Sequence, residues 1–250
     1  PPHIRLNYKI VRQVTVPPDM DKFRLRRFVE KLDAMGEVET HEAQTNLSDI
    51  AVIIENSPKV VWFKNVGPEM LELVANVNGS QKRLAAAMGV SEGNILEEFN
   101  RRLDNPQPVI EVEREYAPVQ QIVLEEDQAD LTKLPFYLQH QFDGSAYISS
   151  GIDYSVDPET GTTNVGCRRL SLRNVREAGT NLTAPSDLKR IYTGCCSRGE
   201  KLPINFAVGS HPIDSSVNDS NICLPISSPK LNRVPCCNIV YVVIGSSILI

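Results

Sequence analysis

Along residues 21–36, DKFRLRRFVEKLDAMG, the apolar positions Leu25, Phe28, Val29 and Leu32 recur at helical spacing. This pattern predicts an amphipathic helix, with Asp21 as its cap and Gly36 as its stop. A short strand around Val38, a helix over residues 48–55 and a buried strand over the β-branched and aromatic run at 59–66 follow. Two further helices are expected, one over residues 81–88 and one opening at a Ser91 cap, with Ile95, Leu96, Phe99 and Leu103 on its inner face. The α/β alternation of residues 1–105 predicts a layered α/β domain.

At Asp104-Asn105-Pro106-Gln107-Pro108 a turn-rich junction marks a domain boundary, and strands separated by turns take over. The clearest is a hairpin in which Ile148, Ile152, Tyr154 and Val156 alternate with polar residues and the turn falls at residues 157–161. Its return strand carries Asn164 and Arg169. Five apart, they point to opposite faces of an ideal strand, and only a bulge or a wrapped backbone, which Gly166 would permit, brings both to one ligand. After Pro185, which suits a first helical turn, Leu188, Ile191, Tyr192 and Cys195 form another helical stripe. Ser186 and Asp187 then stand at that helix's N-terminus, where exposed amides favour anions or polar ligands.

Composition narrows the function classes. Residues 215–250 carry only three charges, Asp219, Lys230 and Arg233, against 54 in the preceding 214 residues, and the last 13 residues are an uncharged β-prone run. This tail (215–250) reads as foreign to the body of the fold. A net charge of −5, with basic residues scattered among acidic ones, disfavours nucleic acid as a partner. Six cysteines, including the adjacent pairs Cys195-Cys196 and Cys236-Cys237, show neither disulfide-scaffold density nor CxxC spacing. His140 and His211 have no second His or Cys at metal spacing and receive no role. The chain shows no basic-then-apolar leader and no run of about 18 apolar residues, so the expectation is a cytoplasmic protein without a membrane span.

Four ordered stretches carry more specific information: VVWFKNV at 60–66, DLTKLPF at 130–136, DGSAYISSGI followed by DPETGTTNVGCRRLSL within 143–172, and KLPINFAVGSHPID at 201–214. Together they resemble the UbiD-type decarboxylases, which use prenylated FMN to interconvert unsaturated or aromatic carboxylic acids and their decarboxylated products. The resemblance spans about residues 20–214. It implies an N-terminal α/β domain (1–105), a central split β-barrel that holds the flavin (106–214) and a C-terminal domain involved in oligomerisation. It also implies a flavin prenyltransferase as supplier of the cofactor and a homo-oligomer for the full-length enzyme.

By position, the resemblance makes Asn164 a ligand of a divalent metal, manganese or magnesium, that bridges the flavin phosphate to protein; potassium is a further candidate ion. Gly166, Cys167 and Arg168 would approach the cofactor largely through backbone, with Ser186 and Asp187 completing its site. Asp187 occupies the place of the family's second ligand, commonly a His, and aspartate suits such a metal well. Arg169 matches the catalytic arginine beside the substrate carboxylate, where its fixed positive fork can hold that group and tune a neighbouring glutamate. The resemblance requires three more glutamates downstream, whereas the last glutamate in this sequence is Glu200. The sequence therefore leaves two expectations: a (de)carboxylase, or a truncated, inactive remnant that binds at most flavin or a partner subunit.

Overall fold

The computed structural model describes residues 23–105, 122–124 and 128–214, and the backbone of residues 240–242. The first helix, α1 (Leu25–Ala34), buries Phe28, Val29 and Leu32, and Gly36 at φ +73° takes the chain out of it. Asp21, the expected cap, lies outside the described residues.

A parallel pair, β1 (Val38–Thr45) and β2 (Val60–Val66), flanks the crossover helix α2 (Ile50–Asn56). An antiparallel strand, β3 (Leu71–Ala75), completes the sheet in the order β1-β2-β3. β2 is the central strand, and Val60, Val61, Phe63 and Val66 are all buried. This is why its sequence is almost wholly apolar, whereas the edge strand β1 exposes most of its polar residues.

Helix α3 (Gln81–Met88) opens on a Ser80 cap whose hydroxyl accepts from the Arg83 amide, and it ends at Gly89 in the left-handed conformation. Ser91 precedes a 3-10 turn rather than the helix itself, and α4 (Ile95–Asp104) follows. Leu96 is 70% exposed, so the expected four-residue inner face of α4 loses it.

Strands β4 (Tyr147–Val156) and β5 (Thr163–Leu172) form the predicted hairpin at the centre of a second, open sheet of order β6-β5-β4-β7-β8. The remaining strands are β6 (Ala178–Gly179), β7 (Ile204–Val208) and β8 (Val240–Val242). Within the tail that reads as foreign, residues 240–242 thus pair antiparallel with β7.

Helix α5 (Asp187–Ser197) is capped by Ser186, whose hydroxyl accepts from the Lys189 amide, so Pro185 stands just before the cap rather than in the first turn. Its Leu188 joins Ile148, Leu170, Ile204 and Phe206 in the largest core cluster, which lies against one face of the second sheet. Cys195 is buried and its thiol pKa is pushed up by burial, so it packs as a small hydrophobe; both it and the exposed Cys196 are free thiols.

Among the described residues, Tyr137 and His211 tie the second sheet to the first domain. Tyr137, bridged to Tyr147, packs on the core cluster of Ile50, Val61 and Phe63. His211, just beyond β7, lies with its ring centroid 4.9 Å from that of Phe28 on α1 and 6.1 Å from that of Phe23.

Candidate functional site

The candidate residues are sorted by the pleat of β5. The register runs unbroken from Val156 opposite Thr163 to Gly151 opposite Arg168, and resumes with Ile148 opposite Leu170. Ser149 and Ser150 therefore stand against Arg169 alone, and the extra residue belongs to β4. Because β5 itself keeps strict alternation, Asn164, Gly166, Arg168 and Leu170 share one face, and Val165, Cys167 and Arg169 share the other. Asn164 and Arg169 thus point to opposite faces, as an ideal strand dictates.

The same bulge corrects the predicted alternation of β4. Ile148 packs in the cluster with Leu170 and Phe206, whereas Ile152 lies on the reverse face with Ala207, Tyr154 and Val165.

On the first face stands Asp153, a residue that the alternating pattern hid among its polar positions. It is fully buried, faces Gly166 across the ladder on one side and pairs with Phe206 on the other. Its Oδ2 accepts from Asn164 Nδ2 at 3.1 Å. Its Oδ1 lies 2.9 Å from Arg168 Nε. That second contact is close enough for charge pairing but is not aligned as a hydrogen bond, so both atoms lack a directed partner. Burial raises the Asp153 carboxyl to about 6 against the pull of the Arg168 charge, an environment that concentrates at functional sites.

Gly166 is required here for space. A Cβ at that position would lie 2.6 Å from Asp153 Oδ1 and 3.4 Å from Arg168 Nη2.

Asn164 is 9% exposed, and no described residue donates to its Oδ1. On the reverse face, Cys167 and Arg169 are exposed, and the Arg169 guanidinium carbon lies 5.5 Å from the centroid of the Tyr147 ring. The outer edge of β5 pairs with β6 only at Ser171 and Leu172, so among the described residues no strand covers the edge from Thr163 to Leu170.

Helix α5 is tied to the turn of the same hairpin. Arg190 lies 3.1 Å from Asp157 Oδ2 and 3.6 Å from Asp187 Oδ1, and Arg198 bridges Glu159 and Glu200. Asp157 holds its carboxyl below the usual range: burial opposes this, but the Glu159 amide, Thr160 and Arg190 outweigh it. Asp187 is well exposed, and no hydrogen bond among the described residues joins it to Asn164.

Among the described residues there is no group of three or more His, Cys, Asp or Glu able to hold a metal. Of the expected ligands, Asn164 offers an amide oxygen and Asp187 a carboxylate, hard oxygen donors whose chemistry suits manganese or magnesium. The sequence makes Asn164, Arg169 and Asp187 expected site residues and gives no role to Asp153. The observed register, with Val156 opposite Thr163, sets Asp153 opposite Gly166, whereas a turn over 157–161 would set it opposite Val165.

Known proteins resemble the chain in sequence and in fold. Residues 110–220 match the family model of the UbiD 3-octaprenyl-4-hydroxybenzoate carboxy-lyase Rift-related domain. A phenolic acid decarboxylase of Sedimentibacter hydroxybenzoicus is 28% identical over 206 residues, 76% of this chain and 43% of that protein. The UbiD-class enzyme HmfF of Pelotomaculum thermopropionicum in complex with FMN superposes with a TM-score of 0.71 at 28% identity, over 75% of this chain and 43% of that one. An evolved dimeric form of HmfF in complex with prenylated FMN gives 0.71 at 27% identity, over 76% and 45%.

Over residues 110–220 the chain thus matches a UbiD-family domain, and its mixed α/β fold is similar to the corresponding portion of the UbiD-class enzymes. It spans less than half the length of these relatives. No helix among the described residues is long and apolar enough to cross a membrane.

Proposed function

We propose that this chain is the flavin-binding portion of a prenylated-FMN-dependent carboxy-lyase acting reversibly on an aromatic, heteroaromatic or α,β-unsaturated carboxylic acid. The observation that carries the reading is the ledge along β5. A ligand lying against that strand edge meets Asn164 on one face, Arg169 on the other and the backbone of Gly166, Cys167 and Arg168 between them. Both faces are thereby reached without the bulge in β5 that one-sided binding would need. The second sheet corresponds in this reading to the central split barrel, with residues 106–214 as its domain and 1–105 as the preceding one.

Decarboxylation leaves an electron pair on carbon that ordinary side chains accept poorly, and the modified flavin, when bound, supplies the electron sink. The protein's own work is positioning and charge balance. Asn164, and Asp187 at the start of α5, offer oxygen to a divalent cation at the flavin phosphate, and Ser186 fixes the helix start that carries Asp187. Arg169, held over Tyr147 on the exposed face, offers its two-pronged cation to the substrate carboxylate. The clamp of Arg190 on Asp157 keeps α5 registered on the hairpin that bears both groups.

Support for the reaction class comes from the decarboxylase relatives and from the flavin in the HmfF structures. The cytoplasm, a homo-oligomeric assembly and a flavin prenyltransferase as cofactor supplier complete the reading. It is tested by producing the chain together with a flavin prenyltransferase and recording its near-UV and visible spectrum alongside CO2 release from a panel of aryl and acrylic acids. Flavin absorbance is the expected result, and CO2 release beside it marks a complete active site. Flavin absorbance without release reduces the chain to a binding module, and a colourless protein overturns the reading.

A further inference from the structure

A carboxylate in the middle of a five-stranded sheet is an expensive way to fill space, because an apolar residue of similar size packs there without desolvating a charge. Asp153 nevertheless has three neighbours arranged around it: Arg168 opposes its charge, Asn164 donates to it, and Gly166 has no side chain where a Cβ would strike Oδ1 at 2.6 Å. These residues form one mutually dependent unit.

The consequence falls on Asn164. A carboxylate only accepts hydrogen bonds, so the group that Asn164 turns toward Asp153 Oδ2 must be its NH2. Flipping the amide would set two acceptors against each other in a buried site. The contact therefore commits Asn164 Oδ1, which receives no hydrogen bond from any described residue, to face away from Asp153. A cation takes an amide through that oxygen.

We propose that Asp153 is a positioning residue that locks the Asn164 amide with its oxygen presented to the divalent cation at the flavin phosphate. The proposal rests on the reading of Asn164 as a ligand of that cation. Asp153 touches neither cation nor flavin in this scheme and acts through Asn164 alone. Partners that orient a metal ligand in this way are worth about 10- to 100-fold in metal affinity.

The test is a titration of the FMN-loaded chain with Mn2+, followed by the EPR signal of the free ion, for the parent, Asn164→Ala, Asp153→Asn, Asp153→Val and the double variant Asn164→Ala/Asp153→Asn, with thermal melting of each. Asp153→Asn keeps the shape but can offer either a donor or an acceptor, so its Mn2+ affinity is expected to fall about 10-fold or more. Asp153→Val is expected to lose affinity while melting no lower than Asp153→Asn, a combination that a purely structural role would not give. In the Asn164→Ala background the Asp153→Asn change is expected to have no further effect, because both act on one contact.

A parent that binds no Mn2+, or an Asn164→Ala variant that binds it unchanged, overturns the reading of Asn164 itself. A parent that depends on Asn164 while Asp153→Asn binds Mn2+ as tightly as the parent overturns the proposal for Asp153 alone. Should Asp153→Val fail to fold, the isosteric variant decides the matter.

Discussion

In an intact enzyme carrying this portion and loaded with prenylated flavin, Arg169→Ala is expected to abolish CO2 release while leaving flavin bound. Arg169 is exposed on the face of β5 away from Asn164, so its removal leaves the buried cluster of Asp153, Asn164 and Arg168 intact. The cofactor's hold on the strand edge is therefore retained. What is lost is the fixed cation that orients the substrate carboxylate, and removing one such pre-aimed group costs a factor on the order of 100 to 1,000 in rate. Arg169→Lys restores the charge but not the fork, so it is expected to recover little of the loss. Headspace CO2 together with the flavin spectrum of the same sample checks both halves. Turnover at the parental rate removes Arg169 from its assigned role, and loss of flavin moves it to cofactor binding.

His211 is expected to make the fold sensitive to mild acid. Its ring is buried between Phe23 and Phe28, its Nδ1 accepts from the Ile213 amide at 3.3 Å, and Lys31 and Arg102 add positive charge nearby. Burial first, and those two cations second, lower its pKa from 6.5 to about 4. The folded state therefore refuses a proton that the unfolded chain accepts below about pH 6.5. Stability from this residue is complete above pH 6.5, declines as pH falls toward 4 and changes no further below that.

A tenfold difference in proton affinity between the folded and unfolded chain is worth about 1.4 kcal/mol, so the loss between pH 7 and pH 4.5 is about 2–3 kcal/mol. Urea unfolding of the parent and of His211→Asn at both pH values isolates it, because the other titrating groups cancel in the difference. The variant is expected to start less stable and to lose about 2–3 kcal/mol less on acidification. Equal losses in the two proteins would show that His211 does not titrate differently on folding.

Much of this architecture was legible in the chain because burial and periodicity coincide. The helix stripe of Phe28, Val29 and Leu32 and the apolar positions of β2 bury the residues that their spacing predicts, and β4 and β5 pair as the expected hairpin. Departures from the pattern arise where a local irregularity intervenes. The bulge at Ser149 and Ser150 shifts the parity of β4, so Ile148 and Ile152, four apart, face opposite ways. β3 escaped prediction because its five residues LELVA are half-buried and too short to show a period. Leu96 fits the stripe of α4 by spacing but points to solvent.

The site divides in the same manner. Asn164, Arg169 and Asp187 could be placed through the resemblance of their sequence context, whereas Asp153 reads as an ordinary outward polar position in an alternating strand. Its burial is imposed by the second layer, where α5 and the loop around Leu131 and Phe136 cover the face that β4 shares with β5. No period within one strand carries that information.

The central claim, that the edge of β5 holds a flavin phosphate through Asn164 and a divalent cation, is tested most directly by titrating FMN with the 250-residue chain and following flavin fluorescence, with and without Mn2+, for the parent and Asn164→Ala. Binding by the parent that tightens with Mn2+, and that no longer responds to Mn2+ in Asn164→Ala, is the predicted result. FMN that stays free in the presence of the parent, or a Mn2+ response unchanged by the substitution, would contradict it.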